Sequence, residues 1–257
     1  MSHPASAASA SFVRRAALAA LLVLTLPAVA LTQVGTGNGF LIGTPKGSVT
    51  LRGGWALASA HSDVFSFTTD NLTLDRGDFS SPTAGVDFAF RVGGHTDLQF
   101  STSVTGTRKR SEFRHFIDNE DKPIEQRTSF FRVPMTVSVK QYLTNRGRSI
   151  GRLAWIPSRM APYVGVGGGA MWYDFKQAGD FVDFEDFGVF NAVLESKGWA
   201  PTAHAFIGNE ISISPRFAVV TEARYGWSKA TLGADFSDFD RIDLSGFSTT
   251  AGIAVRF

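Results

Sequence analysis

The 257-residue chain contains no cysteine. Disulfide frameworks, thiolate metal sites and thiol catalysis are therefore excluded, and the composition suits a chain that must cross an oxidising compartment unfolded. It also lacks long apolar runs. After residues 16–26, no segment approaches the roughly 20 apolar residues of a membrane-spanning helix. That one run is preceded by Arg14 and Arg15 and followed by Pro27 and Ala28-Val29-Ala30. A charged n-region, an apolar h-region and an A-x-A cleavage site mark residues 1–30 as an expected secretory signal. An excess of one charge is missing too. Of 25 basic residues, cleavage removes two, leaving 23 against 23 acidic. The sequence pI of about 9.0 is thus no sign of nucleic-acid binding, and no nucleic-acid partner is expected.

What is present is glycine, phenylalanine and alternation. The chain has 26 glycines, 23 phenylalanines and a mean hydropathy of +0.02. An exported chain with this hydropathy enters a membrane only by strands that alternate apolar and polar residues. Eight segments do so, each about ten residues long, the span of a tilted strand across a bilayer. In the first, Val49, Leu51, Gly53, Trp55 and Leu57 oppose Arg52. Val86, Phe88 and Phe90 then oppose Asp87 and Arg91, and Leu98, Phe100 and Val104 oppose Gln99 and Ser101. Val133, Met135, Val137 and Val139 oppose Arg132, Ser138 and Lys140. Val164 and Val166 oppose Tyr163 and the glycines at 165, 167 and 169. Ala205, Ile207 and Ile211 oppose His204, Phe206 and Glu210, with Asn209 the one polar residue on the apolar side. Val219, Tyr225 and Trp227 oppose Glu222 and Arg224, and Ile253, Val255 and Phe257 oppose Ala254 and Arg256.

The charges decide between a soluble sheet and a membrane barrel. Every charged residue of these strands falls on the face opposite the apolar one, whereas a basic residue facing lipid at mid-membrane costs roughly 2–4 kcal/mol. Connections alternate in length as an up-and-down barrel requires. Residues 93–96 and 212–216 are short and expected on the periplasmic side. Residues 61–82, 108–127, 176–201 and 228–243 are expected as long outer loops. The middle inner connection, 144–160, is long and carries Arg146, Arg148, Arg152 and Arg159. The expected fold is an all-β, eight-stranded antiparallel transmembrane β-barrel over residues 47–257, preceded by a periplasmic lead-in at 31–46.

The run Pro162-Tyr163-Val164-Gly165-Val166-Gly167-Gly168-Gly169, the Glu222-x-Arg224-Tyr225 strand and the ending Gly252 to Phe257 resemble the outer membrane protein β-barrel domain group. That group is akin to the small OmpA, OmpX and OmpW barrels. The resemblance implies a cell outer membrane location, contact with outer-membrane lipid and lipopolysaccharide, and insertion by the barrel-assembly machinery. Thr250, Gly252, Val255 and Phe257 resemble the terminal signal read by that machinery. No peptidoglycan-binding domain is expected after the barrel, so wall anchoring is not implied.

Three clusters are candidates for function. The inward charges Arg52, Asp87, Arg91, Arg132, Lys140, Glu210, Glu222 and Arg224, with Arg256, are expected to form an ion-pair network filling the lumen. Eight strands enclose little more than side chains, and charges withdrawn from water must find partners. The alternative is a small OmpW-like channel for small or hydrophobic solutes, for which the inner glycines 165, 167 and 169 would leave space. In the outer segment 180–194, Phe181, Phe184, Phe187 and Phe190 recur every third residue among acids, as a short helix with an aromatic stripe would place them. They are candidates for contact with an extracellular partner, its identity unknown. Arg108, Lys109, Arg110, Arg114 and His115 form a basic cluster suited to lipopolysaccharide phosphates. Neither acidic segment, 180–186 nor 235–243, has the glycine-punctuated spacing of a calcium loop, so no metal or cofactor is expected. His61-Ser62-Asp63 are adjacent in sequence only, and His204 has no serine two residues away. No catalytic residues are expected, and the reading is a structural or surface-interaction barrel rather than an enzyme.

Overall fold

The structure is a computed structural model and describes residues 40–117, 122–151, 153–183 and 188–257. The expected signal segment and most of the lead-in lie outside the described residues. Twelve strands follow in chain order: β1 (Leu41–Ile42), β2 (Gly47–Ala58), β3 (Ser81–Arg91), β4 (Thr96–Ile117), β5 (Pro123–Tyr142), β6 (Gly147–Ile150), β7 (Ala154–Pro157), β8 (Met160–Val182), β9 (Val189–Ser212), β10 (Phe217–Ala230), β11 (Ile242–Asp243) and β12 (Gly246–Arg256). Eight of them form a ring, β2-β3-β4-β5-β8-β9-β10-β12, each antiparallel to the next. β12 closes on β2 from Gly246↔Ala58 to Arg256↔Ser48. The ring is an up-and-down transmembrane β-barrel, in which closure leaves no unpaired strand edge.

Alternation sets which face each residue takes. In β12, Ile253 is 56% exposed while its neighbour Ala254 is fully buried and Arg256 is 5% exposed. The same alternation leaves Leu51, Phe100, Val137, Val166 and Ile207 on the outside and Arg52, Lys140 and Glu210 buried inside. Trp55, Trp199 and Trp227 stand exposed towards one end of this apolar belt, and Trp199 faces Trp172 across the β8–β9 ladder. Phe90, Phe217 and Phe257 are exposed at the other. Aromatic rings at both edges of an apolar band are the signature of bilayer interfaces. Asn209 lies close to the second edge, paired with Pro162 two residues from the start of β8. Among the described residues, no helix is long and apolar enough to cross a membrane, which does not bear on crossing by strands.

Two of the expected outer loops are in fact strand. β4, β5, β8 and β9 run for 22, 20, 23 and 24 residues, against 11 to 14 for the other four. They rise beyond the belt as a wall, because the alternation continues: Ile124, Gln126, Thr128 and Phe130 are buried on one face while Glu125 and Arg127 are exposed on the other. The segment 108–127 is therefore largely a hairpin, and so is 176–201.

The inner side of the wall is covered by the connections of the shorter strands. Helix α1 (Asp63–Asn71) places Phe65 against Phe79, Phe130 and Phe175, with ring centroids 4.7, 5.3 and 5.6 Å away in edge-to-face contact. Phe236, from the β10–β11 connection, meets Phe175 at 5.4 Å. The His61-Ser62-Asp63 triplet serves this packing. The His61 amide donates to Asp243, Ser62 Oγ accepts from the Asp243 amide, and Asp63 accepts from the amides of Val64 and Asp240. Arg114 donates to the carbonyls of Thr69 and Leu72, tying the wall to the end of α1. Asp78 accepts from the Asp75 amide and pairs with Lys109, and these contacts hold its carboxyl below the usual range. Together these residues form an apolar cap over the far end of the lumen.

The near end has its own cover. The long connection after β5 forms β6 and β7, and with β1 these make a separate three-stranded sheet in the order β1-β7-β6. The last residues of the 31–46 lead-in, expected to be patternless, thus include a strand pairing Leu41 with Trp155. Arg152 lies outside the described residues.

The cap makes a specific expectation. Truncating Phe65 to Ala removes a fully buried ring, at a cost of about 3–5 kcal/mol, but breaks no rung of the ring. Hydrogen exchange should accelerate across residues 60–79 while the strand amides of β2, β3, β10 and β12 stay protected. Equal loss of protection in those strands would show that cap and barrel fold as one unit.

Candidate functional site: the barrel lumen

The lumen is filled in layers. At the near end, Lys140 Nζ lies 2.8 Å from Glu210 Oε1, and Arg256 Nη2 lies 3.2 Å from Glu210 Oε2. Tyr142 OH donates to the same carboxylate. The Lys140 ammonium also sits 3.8 Å from the centre of the Tyr163 ring. Strands β5, β9 and β12 supply this triad. Glu210 and Arg256 approach from either side of β10, where Val220 stands opposite Glu210 and Ala218 opposite Ala254. Below it, Arg146 from the β5–β6 connection pairs with Asp97 at 2.7 Å and stacks over Tyr142 at 4.3 Å. Trp155 of β7 lies 5.7 Å from the Arg256 guanidinium. The cavity left among Arg91, Arg146, Trp155, Glu210 and Arg256 is about 10 Å³, room for a single water at most.

The next layer joins β2, β3, β8 and β10. Arg52 Nε donates to Asp87 at 2.9 Å, and Arg224 Nε donates to Glu222 Oε1 at 3.0 Å. Tyr163 OH donates to the other oxygen of Glu222 at 3.1 Å. Tyr163 reaches that carboxylate because Gly208 faces it: a Cβ at Gly208 would lie 2.4 Å from the Tyr163 ring. The inner glycines do not leave open space. A Cβ at Gly165 would lie 2.2 Å from the Phe206 ring, and one at Gly167 would lie 2.5 Å from Ser138 Oγ. The room anticipated at 165 and 167 is taken by Phe206 and by the neighbouring strand.

Seven of the nine inward charges are therefore brought together in pairs or in the triad, and two are not. Arg91 ends β3 at the rim, where Nε and Nη2 donate to the Gly93 and Gly94 carbonyls of its own hairpin. Arg132 lies higher, where its Nη1 donates to the carbonyls of Leu244 and Ser245 at 3.0 and 3.3 Å. Its exposure is 6%, yet among the described residues no carboxylate lies within salt-bridge distance. Sequence reasoning missed two participants. Tyr142 and Tyr163 are the hydroxyl donors to the two glutamates, and the period-2 pattern places both inward. It also missed Ser138, whose Oγ is 2.8 Å from His204 Nε2. The two sit on β5 and β9, separated by β8, so spacing along the chain could not join them. Among the described residues no carboxylate hydrogen-bonds to His204, which stacks instead on Phe206 at 5.7 Å.

The outer candidates fare differently. Phe181 and Phe190 form a cross-strand pair in the β8–β9 hairpin, their rings stacked at 5.9 Å. The expected helix over 180–194 is thus strand at both described flanks, since the ladder runs on to Val182↔Val189. Phe184 and Phe187 lie outside the described residues. In the basic cluster, Lys109 and Arg114 are engaged with Asp78 and with α1, whereas Arg108 and Arg110 face outward on the wall. Arg110 stands directly opposite Arg127 of β5.

The class defined by ring and belt is the eight-stranded transmembrane β-barrel. No family model matches the chain, and no curated protein does. Among solved structures it is similar in fold to the outer membrane protein OprG of Pseudomonas aeruginosa, at 14% identity and a TM-score of 0.46, covering 84% of this chain and 99% of that one. It is likewise similar to Neisserial surface protein A, at 12% and 0.41 over 87% and 100%. The N-terminal barrel domain of P. aeruginosa OprF matches at 9% and 0.35 over 83% and 100%. These are small outer-membrane barrels, and at such identities the likeness is one of fold.

Glu222 tests the layer. It is 7% exposed and accepts from both Arg224 and Tyr163. Glu222→Gln leaves Arg224 without its carboxylate, and breaking a buried pair this way typically costs about 3–5 kcal/mol. The refolded variant should lose its compact, heat-resistant gel mobility at a clearly lower temperature than wild type. An unchanged transition would mean that water reaches Arg224 and the layer is not sealed.

Proposed function

We propose that the protein is an integral outer-membrane barrel with a structural and surface-interaction role, its lumen closed by the ion-pair layers. The observation that carries this is the Lys140–Glu210–Arg256 triad, buried at the near end of the lumen beneath the Arg52–Asp87 and Arg224–Glu222 pairs. In this reading the near end, with the β1-β7-β6 sheet, faces the periplasm, and the wall and cap face outward. Thr250, Gly252, Val255 and Phe257 then act as the signal for the assembly machinery. The cleaved signal at 1–30 delivers the chain to it.

The surface role falls to the wall. Arg110 and Arg127 oppose each other on the wall, and like charges placed directly across a ladder destabilise it unless something neutralises them. With Arg108 they suit the phosphates of lipopolysaccharide, for which guanidinium forks are well shaped. The hairpin tip with Phe181 and Phe190 is the candidate contact for an extracellular partner. The Ser138–His204 pair is read as lumen packing, with no catalytic role.

A second reading has one observation in its favour. The β4–β5 ladder lapses between Thr102↔Met135 and Thr105↔Arg132, around Pro134, which has no amide hydrogen to donate. A small-solute channel leaving sideways through the wall at this point would be the OmpW-like alternative.

Topology is the experiment. In intact cells, external protease should cut the 183–188 tip, while 146–152 should be cut only after the outer membrane is opened. The reverse accessibility would overturn the orientation, and with it the surface role of the wall.

A further inference from the structure

Between the charged layers and the apolar cap lies a second cavity, of about 80 Å³. Its lining includes the guanidinium residues Arg52, Arg132 and Arg224 together with His204, and it includes no carboxylate residue. A cavity of this size, lined by apolar as well as polar groups, has room for several waters or one small polyatomic ion. Of the three arginines beside it, two have a carboxylate partner. Arg52 pairs with Asp87, Arg224 with Glu222, Lys140 and Arg256 with Glu210, and Arg146 with the buried Asp97, whereas Arg132 has no carboxylate within salt-bridge distance among the described residues. Asp243, in the cap, lies beyond salt-bridge distance of Arg132, and its oxygens accept from the amides of His61 and Ser245.

Donors are also left over at this place. Arg132 uses Nη1 for the Leu244 and Ser245 carbonyls, and its guanidinium lies 4.9 Å from the centre of the Phe130 ring. Nη2 of Arg224 lies 2.9 Å from Glu222 but makes no hydrogen bond in a proper direction, and Thr136 Oγ1 has no partner. All three residues line the cavity. A buried cation without a counter-charge is costly, and a buried donor without an acceptor adds to that cost. Both are relieved by one occupant.

We infer that this cavity is a binding site for a small inorganic oxyanion of the phosphate class, held by Arg132 and Arg224 with Thr136. Guanidinium forks match the oxygens of a tetrahedral anion. The site differs from a conducting path because the triad and Tyr163 lie beneath it. It also differs from the wall cluster Arg108–Arg110–Arg127, which faces the outside of the barrel and would take lipid phosphates instead.

The test is equilibrium dialysis of the refolded full barrel in detergent against radiolabelled inorganic phosphate, at constant ionic strength set with chloride. Wild type should retain one phosphate per chain. Arg132→Gln should weaken retention about tenfold or more, as expected for loss of a charge-assisted hydrogen-bonding group, and Thr136→Val should weaken it less. Arg110→Gln should leave it unchanged. If Arg132→Gln does not refold, Thr136→Val and Arg110→Gln still decide the matter. No retention by wild type would overturn the inference. So would retention lost in Arg110→Gln but not in Thr136→Val, which would place the phosphate on the lipid-facing wall.

Discussion

An eight-stranded ring has an interior only as wide as the side chains it must hold, and lipid outside permits no opening in its hydrogen-bonded wall. Every feature of the lumen follows from that confinement. A charge pointing inward has no bulk water to return to, so its partner must come from another inward side chain, on its own strand, the next one or one further round the ring. Glu210, on β9, meets this by taking two cations and a tyrosine hydroxyl from strands β5 and β12. Glu222 takes an arginine and a tyrosine. The glycines of β8 and β9 are part of the same solution. Gly165 and Gly208 are the positions over which the rings of Phe206 and Tyr163 lie flat enough to fill the bore.

Confinement also explains the ends. Where the four short strands stop, the four long ones would present a half-open trough with an apolar inner face. Helix α1 and the β10–β12 connection fill that trough with Phe65, Phe79 and Phe236 against Phe130 and Phe175. The aromatic cap and the charged layers thus divide the bore by chemistry, and Arg132 marks their boundary. It is the one inward arginine whose partners are carbonyls of the cap rather than a carboxylate of the barrel.

The ring itself was legible in the sequence because period-2 alternation is a local signal, and lipid outside makes it strict. Each of the eight strands, and the inward side of Arg52, Lys140, Glu210 and Arg224, follows from alternation alone. The partners do not. Lys140 and Glu210 are 70 residues apart, and which inward charges share a level depends on the stagger between strands, which no single strand encodes. The wall was misread as loop because residues 108–127 carry Arg108, Arg110 and Glu112 on their outer face. Charges there end the membrane span but not the strand, since outside the bilayer they are simply solvated. The 180–194 segment misled in the other direction. Its phenylalanines every third residue suggest a helix, yet cross-strand pairing of Phe181 with Phe190 satisfies their backbone and their rings together.

The central claim is that the bore is sealed by the Lys140–Glu210–Arg256 triad and the pairs above it. Single-channel recording of the refolded protein in a planar bilayer tests this most directly. A sealed lumen predicts no resolved, long-lived conductance in wild type and its appearance only when the triad is dismantled, as in Lys140→Ala combined with Arg256→Ala. Steady, ion-selective openings in the wild-type protein would contradict the account.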